Sequence, residues 1–263
     1  MKKIKPGLLA TVVAASLAIY GCANSPMGRQ QILLFSGTQM SQLGVQSFEA
    51  LKKQEKINTD PKTNAYVQCV ASAITNRLGP QSDFDKWEVV VFESDEVNAF
   101  ALPGGKIGVY TGLLKVATNQ DQLAAVIGHE IAHVTANHSN ERLSRSQLAD
   151  TGLQLSNSVL SGSEYQSMVM SGLGLGVQYG VLMPYNRAQE SESDMIGLRL
   201  MAEAGFDPQQ SVNLWENMAK ASGGNQPPEL LSTHPSNATR IDDLKKAITS
   251  LPATTVKQQS CSL

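Results

Sequence analysis

The residues able to do chemistry stand together in His129-Glu130-Ile131-Ala132-His133. The run from Asp121 to His138 reads as helix from Gln122 onward. Two histidines four apart then lie one turn apart on the same helix face. Two neutral imidazoles side by side supply half of a tetrahedral zinc site. Glu130, directly after the first, is placed to act as general base on a water molecule. With four histidines in the chain, chance produces this pattern in on the order of one such sequence in several hundred. The alternative is two histidines packed on a buried helix.

A catalytic zinc site takes a third protein ligand and leaves a fourth position open. His138 is close in sequence, but five residues past His133 is about 140° around an unbroken helix and points away. The three-histidine variant of the motif would need glycine at Ala136 and histidine at Ser139, and neither is present. His138 therefore reads as a helix-end or surface histidine. The helix that starts near Tyr185 offers more. Glu190 and Asp194 are four apart and share a stripe with Gly197, Leu198 and Met201. Carboxylates on an apolar stripe are costly unless a metal or a partner compensates them. Glu190 is read as the third ligand and Asp194 as the acceptor that orients a zinc histidine; a pair of solvated acids is the alternative.

The elements that must position these groups are mostly helical. Apolar residues recur at helical spacing over 38–56 and 64–78, and Gly79-Pro80 ends the second helix. Glu88-Val89-Val90-Val91-Phe92 is a strand, and 97–102 with 106–110 form a hairpin about Pro103-Gly104-Gly105. Thr118 is the expected N-cap of the zinc helix, with Asp121 three residues on. Residues 145–185 are rich in Ser, Gly, Leu and Met; helical segments over the protease body are expected there, with contact to a lipid surface as the alternative. Helices at 185–204 and 237–251 follow. The fold class is α+β, mostly α-helical, with a small antiparallel sheet beside the zinc helix. The expected organisation is a targeting segment at 1–21, a tether at 22–36, one metallopeptidase domain at 37–252 and a tail at 253–263.

The formal net charge is −2, and it falls to about −5 without the three lysines of the first 21 residues. No basic cluster survives to suggest nucleic acid. Lys2, Lys3 and Lys5 followed by the apolar Leu8–Ile19 form a secretory signal. Ile19-Tyr20-Gly21-Cys22 is similar to a bacterial lipobox cut before a cysteine that is then acylated. Tyr20 departs from the small residue usual there, so a plain signal peptide stays open. Ala23 after the cysteine, by resemblance to proteobacterial lipoproteins, points to the outer membrane, facing the periplasm. Several acyl chains on Cys22 would hold the domain on that membrane. In such an oxidising compartment, Cys69 and Cys261 either form a disulfide or remain two thiols.

His129-Glu130-x-x-His133 followed by Glu190-x-x-x-Asp194 resembles the family of CAAX prenyl protease, HtpX and the mitochondrial Oma-type proteases, which are gluzincins. Asn98-Ala99-Phe100-Ala101-Leu102-Pro103-Gly104-Gly105, Tyr110-Thr111-Gly112-Leu113, and Thr233-His234-Pro235-Ser236 with Arg240-Ile241 belong to the same resemblance. With the lipobox, the chain is similar to the family's bacterial periplasmic lipoprotein members, without room for a tetratricopeptide array. The resemblance implies one zinc ion per chain on His129, His133 and Glu190, with Glu130 catalytic. It also implies that an extended substrate contacts Asn98, Ala99 and Phe100 as an added strand, unless that hairpin is purely structural. His234 lies over the metal in the family, either stabilising the oxyanion or holding the enzyme latent. The activity implied is an endopeptidase acting on misfolded or misassembled envelope proteins. A chaperone-like assembly factor that rarely cuts is the competing reading, disfavoured because a structural zinc site has no need of Glu130.

Overall fold

A computed structural model describes residues 22–80, 84, 86–161, 183–221, 230, 234, 238–252 and 256–263. The targeting segment, most of the apolar stretch after residue 160 and residues 222–229 lie outside the described residues. The chain divides into two compact units, Met1–Ser36 with Ala136–Pro184, and Gly37–Thr135 with Tyr185–Leu263. Among the described residues no helix is long and apolar enough to cross a membrane.

In the first unit, β1 (Cys22–Asn24) pairs antiparallel with β2 (Gln30–Ile32). Residues 22–36, read above as a tether, thus hold regular structure of their own. Polar contacts distant in sequence fix them. Arg29 forks onto the fully buried Glu141 with two 2.8 Å hydrogen bonds, and Gln31 Nε2 donates to the Ala136 carbonyl at 2.7 Å. Strands of three residues leave no periodicity to read, so this pairing was invisible in sequence. Among the described residues this unit also holds the helix His138–Leu160 (called α4 below). It starts afresh after Asn137, which takes the left-handed conformation at φ 55°. His138 therefore opens a new helix, the helix-end position expected for it, and is fully buried, which corrects only the surface alternative.

The second unit holds α1 (Gly37–Gln54), α2 (Pro61–Thr75), β3 (Glu88–Phe92), β4 (Ala99–Leu102), β5 (Lys106–Tyr110), α3 (Gln120–Thr135), α5 (Met183–Glu203), α6 (Gln209–Ala221) and α7 (Ala238–Ser250). The hairpin β4–β5 is antiparallel as expected, with Ala99 opposite Val109. β3 joins the other side of β5 in parallel, giving the order β3-β5-β4. The sheet is therefore mixed, with β3 and β4 as its two edges. Alternation along β4 sends Ala99 and Ala101 into the main core and sends Phe100 and Leu102 to a second cluster with Phe48, Phe92 and Tyr110. Asp60 caps α2, its carboxylate accepting the Thr63 N–H at 2.8 Å, with Pro61 in the first turn.

α3 is buried on every side from Asp121 to His133, as a helix at the centre of a domain must be. Its N-cap is Asn119, whose Oδ1 accepts the Gln122 N–H at 2.9 Å. Thr118 instead donates its own N–H to Gln122 Oε1, so the expected cap is displaced by one residue. α5 crosses α3 backbone against backbone. A methyl group on Gly197 would lie 2.8 Å from the His129 nitrogen, and one on Gly128 would lie 3.0 Å from the Gly197 carbonyl oxygen. Only residues without a Cβ permit this approach, and it brings Glu190, two turns before Gly197, within reach of the α3 histidines. α6 went unread in the sequence, although Val212, Trp215 and Met218 mark its buried side. Cys69 of α2 and Cys261 of the tail form a disulfide with Cα atoms 5.8 Å apart, closing a sequence separation of 192. In the chain-entropy view a loop of that length is worth on the order of 5 kcal/mol.

Candidate metal centre

His129 and His133 of α3, Glu190 of α5 and His234 present one ligand atom each within 4.8 Å of one another, and all four residues are buried. The two α3 imidazoles approach Nε2 to Nε2 at 3.1 Å. His129 Nε2 lies 3.2 Å from His234 Nδ1 and 3.2 Å from Glu190 Oε2. Glu190 Oε1 is 3.4 Å from His133 Nε2, and Glu190 Oε2 is 2.9 Å from His234 Nδ1. A tetrahedron with ligand distances of about 2.0–2.1 Å has edges of about 3.3 Å, close to these separations. Three imidazole nitrogens and a carboxylate turned toward one point repel one another unless a cation or protons lie between them. The donor set therefore fits a divalent metal ion.

His129 is oriented from behind. Its Nδ1 lies 3.0 Å from Asp194 Oδ1, so the Nδ1–H donates to Asp194 and leaves Nε2 for the metal. Asp194 is itself gripped by Arg240, which donates Nε–H to Oδ2 at 2.5 Å and Nη2–H to Oδ1 at 2.7 Å. Arg240 also donates from Nη1 to the His234 carbonyl at 3.3 Å, and its guanidinium lies 3.7 Å above the Trp215 ring. One buried arginine thus touches the supports of two ligands. Arg240 entered the sequence reading only as part of a resemblance and without a role, and Trp215 did not enter at all. An arginine six residues after the last histidine of the cluster, and a tryptophan on an apolar helix stripe, were the available signals.

Glu130 sits beside the cluster and is buried. Its Oε1 has no hydrogen-bond partner, and the nearest ion-pairing group is His234 Nε2 at 3.3 Å. A buried carboxylate oxygen left unsatisfied calls for an explanation, and a role as acceptor for a reacting water would provide one. His234 reaches the centre because its N–H donates to the Leu230 carbonyl at 2.9 Å, while Leu230 N–H donates to the Val97 carbonyl at 3.2 Å.

The residues read as substrate contacts divide. The Tyr110 N–H donates to the Asn98 carbonyl at 3.1 Å, so residues 98, 100 and 102 bond to β5 and the N–H and C=O groups of Ala99 and Ala101 face the open edge. Asn98 stands where the strand begins, its Oδ1 accepting the Ala99 N–H at 2.9 Å. The Phe100 side chain points the other way. Its ring packs over Gly108 and 6.1–6.2 Å from the Phe48, Phe92 and Tyr110 rings. Pleat alternation assigns its ring to the second core and leaves the backbone of β4 as the part of this strand that faces the open edge.

Charge in the cluster is set by the same contacts. Burial pushes His129 down, but hydrogen bonds to Asp194 and Glu190 outweigh it and carry the imidazole up to about 9. Burial would likewise raise Glu190 and Asp194. Hydrogen bonds from His129 and His234 hold Glu190 below the ordinary carboxylate range, and Arg240 and His129 do so for Asp194. Without metal, His129 therefore carries a proton at neutral pH, and an incoming ion must displace it. Apparent metal affinity is expected to rise about tenfold per pH unit between about pH 6 and the His129 value, then level off. Competition titrations of metal-stripped protein across that range check this; a flat profile would contradict it.

An α+β domain whose central helix offers two histidines and a glutamate to a carboxylate on a crossing helix defines the metallopeptidase class. Comparison with known families narrows this: the model of peptidase family M48 matches residues 61–248, and the chain belongs to that family. Mitochondrial metalloendopeptidase OMA1 of Schizosaccharomyces pombe is 37% identical over 199 residues, which is 75% of this chain and 56% of that protein. The mitochondrial metalloendopeptidase OMA1 of Homo sapiens is 30% identical over 233 residues, 84% of this chain and 44% of its own length. The beta-barrel assembly-enhancing protease of Escherichia coli (strain K12) is 27% identical over 258 residues, 93% of this chain and 52% of its own. The chain spans about half the length of these curated relatives.

Proposed function

We propose that the protein is a zinc-dependent endopeptidase of the bacterial cell envelope, hydrolysing misfolded or misassembled periplasmic and outer-membrane proteins. The carrying observation is the buried cluster of His129, His133, Glu190 and His234 with the unsatisfied Glu130 oxygen beside it. A donor set of imidazole nitrogens and one carboxylate favours zinc over ions that prefer six or more oxygens. His129, His133 and Glu190 would hold the zinc, which would supply Lewis-acid polarisation of the scissile carbonyl and the attacking water. Glu130 accepts the water proton and returns it to the leaving amine. The outward C=O of Ala99 and the outward N–H and C=O of Ala101 align the substrate as an added strand. The envelope setting is supported by the likeness to a beta-barrel assembly-enhancing protease and by the lipobox-like residues before Cys22, where acylation would anchor the chain to the outer membrane. The mitochondrial relatives support the peptidase activity without the location.

His234 has two open roles, since the same nitrogen that faces His129 and Glu190 would close the metal's last position. Purified mature protein is expected to digest casein, to stop on chelation and to resume with added zinc. His234→Ala in the same assay separates the roles: a fall of about 10²–10³-fold marks an oxyanion donor, and a gain marks a latch. Casein left intact by zinc-loaded protein and by His234→Ala alike would favour the assembly-factor reading.

A further inference from the structure

The sheet has a second open edge, on β3. Glu88 donates its N–H to the Gly105 carbonyl at 2.7 Å, so residues 88, 90 and 92 bond to β5 and the odd-numbered residues face outward. Part of that outer edge is already filled by the chain itself: Asn58 N–H donates to the Val91 carbonyl at 2.8 Å, and Glu93 N–H donates to the Lys56 carbonyl at 2.7 Å. This short antiparallel addition ends at Val91. Val89 comes next, and among the described residues no strand covers its outward N–H and C=O.

A cavity of about 510 Å³ lies over that position, between the edge of β3 and α2. Gln68, Ser72 and Thr75 form the helix wall, Val89 the floor, and Phe84 and Trp87 an aromatic end. The two aromatic rings meet edge to face with centroids 5.0 Å apart. Its volume falls in the usual range for ligand clefts, about 300–1,000 Å³. A groove between a helix and an edge strand, with a backbone pair on its floor that no described strand covers, suits a particular ligand: a polypeptide in extended conformation. Backbone pairing to Val89 would hold any sequence, and Trp87 would favour an apolar side chain.

We propose that this groove is a second peptide-binding site, taking an extended segment of unfolded polypeptide as an antiparallel strand that continues the line set by Lys56–Asn58. The identity of the ligand as substrate rests on the endopeptidase reading; the strand addition does not. β3 and β4 are separated by β5 alone, about 10 Å across at ordinary strand spacing. A long unfolded chain can therefore engage both edges, and a short peptide only one, so the second site raises the local concentration of long substrates at the metal.

The test uses the zinc-loaded mature chain with two groove variants. Ser72→Arg projects a long side chain from the helix wall into the groove. Val89→Pro deletes the outward N–H while sparing the ladder to β5. Both are expected to raise KM for casein about tenfold with kcat unchanged, and to leave cleavage of a quenched-fluorescence hexapeptide as it was. Casein binding to the Glu130→Gln protein, followed by Trp fluorescence, should weaken about tenfold when Ser72→Arg is added. Unchanged casein binding in that background, or an equal fall for hexapeptide and casein, overturns the proposal. If neither substrate is cut by the wild type but Ser72→Arg still weakens casein binding, the groove stands and the endopeptidase reading fails. Should Val89→Pro not fold, Ser72→Arg carries both arms alone.

Discussion

Glu130→Gln is expected to retain one zinc ion per chain and to lose casein hydrolysis by about 10²–10⁴-fold, the usual contribution of a positioned general base. The substitution keeps the shape of the side chain and removes its ability to take a proton. None of the metal's donors is touched, because His129, His133, Glu190 and His234 form the cluster without Glu130. Stability should hardly change. Glu130 Oε1 accepts no hydrogen bond, and its closest charged neighbour, His234 Nε2, is 3.3 Å away; an amide there forfeits little. The measurement pairs metal analysis with a casein digest at equal protein concentration. Equal digestion by both forms would remove the base from the mechanism and the endopeptidase reading with it. Loss of zinc together with activity would instead assign Glu130 to holding the ion.

Much of the centre was legible because its chemistry is local. The i,i+4 spacing of His129 and His133, and of Glu190 and Asp194, fixes each pair on one helix face whatever the tertiary structure does. The crossing of the two helices was not legible as such, since Gly128 and Gly197 are uninformative until each is seen against the other's backbone. Phe100 shows what a motif leaves out. Its place in the motif suggested a substrate contact, and the strand's two-residue period, which could have been counted, sends its ring to the second core. The break at Asn137 was lost because a left-handed asparagine leaves the apolar pattern intact on either side. The pairing of β3 with β5 rather than β4, and the ordered hairpin at 22–32, depend on contacts far apart in sequence that no window of residues contains.

Arg240 has no local sequence signature for its role, and its replacement is the change expected to do most damage outside the donor set. The guanidinium neutralises Asp194 through two hydrogen bonds, at 2.5 and 2.7 Å, in a place where neither side chain is more than 5% exposed. Removing one partner of such a buried pair costs about 3–5 kcal/mol, because the remaining charge is stranded. Arg240→Met keeps most of the bulk over Trp215 and deletes the charge. It is expected to lower Tm by roughly 10 °C, at about 2–4 °C per kcal/mol for a chain of this size. The carboxylate left behind loses the cation that holds it below its ordinary range, so Asp194 becomes a weaker and less well-aimed acceptor for His129 Nδ1–H. Misoriented, His129 should release zinc about 10–100-fold faster, the usual penalty for losing an outer support of a metal ligand. Arg240→Lys discriminates between charge and shape. A single ammonium can restore the neutralisation, and with it much of the Tm, but it cannot span Asp194 Oδ1, Asp194 Oδ2 and the His234 carbonyl together. Zinc release should therefore stay fast in Arg240→Lys even where stability recovers. Thermal melts and chelator-competition rates on the two variants check this. Wild-type values of both in Arg240→Met would show that Asp194 and His129 hold their places unaided.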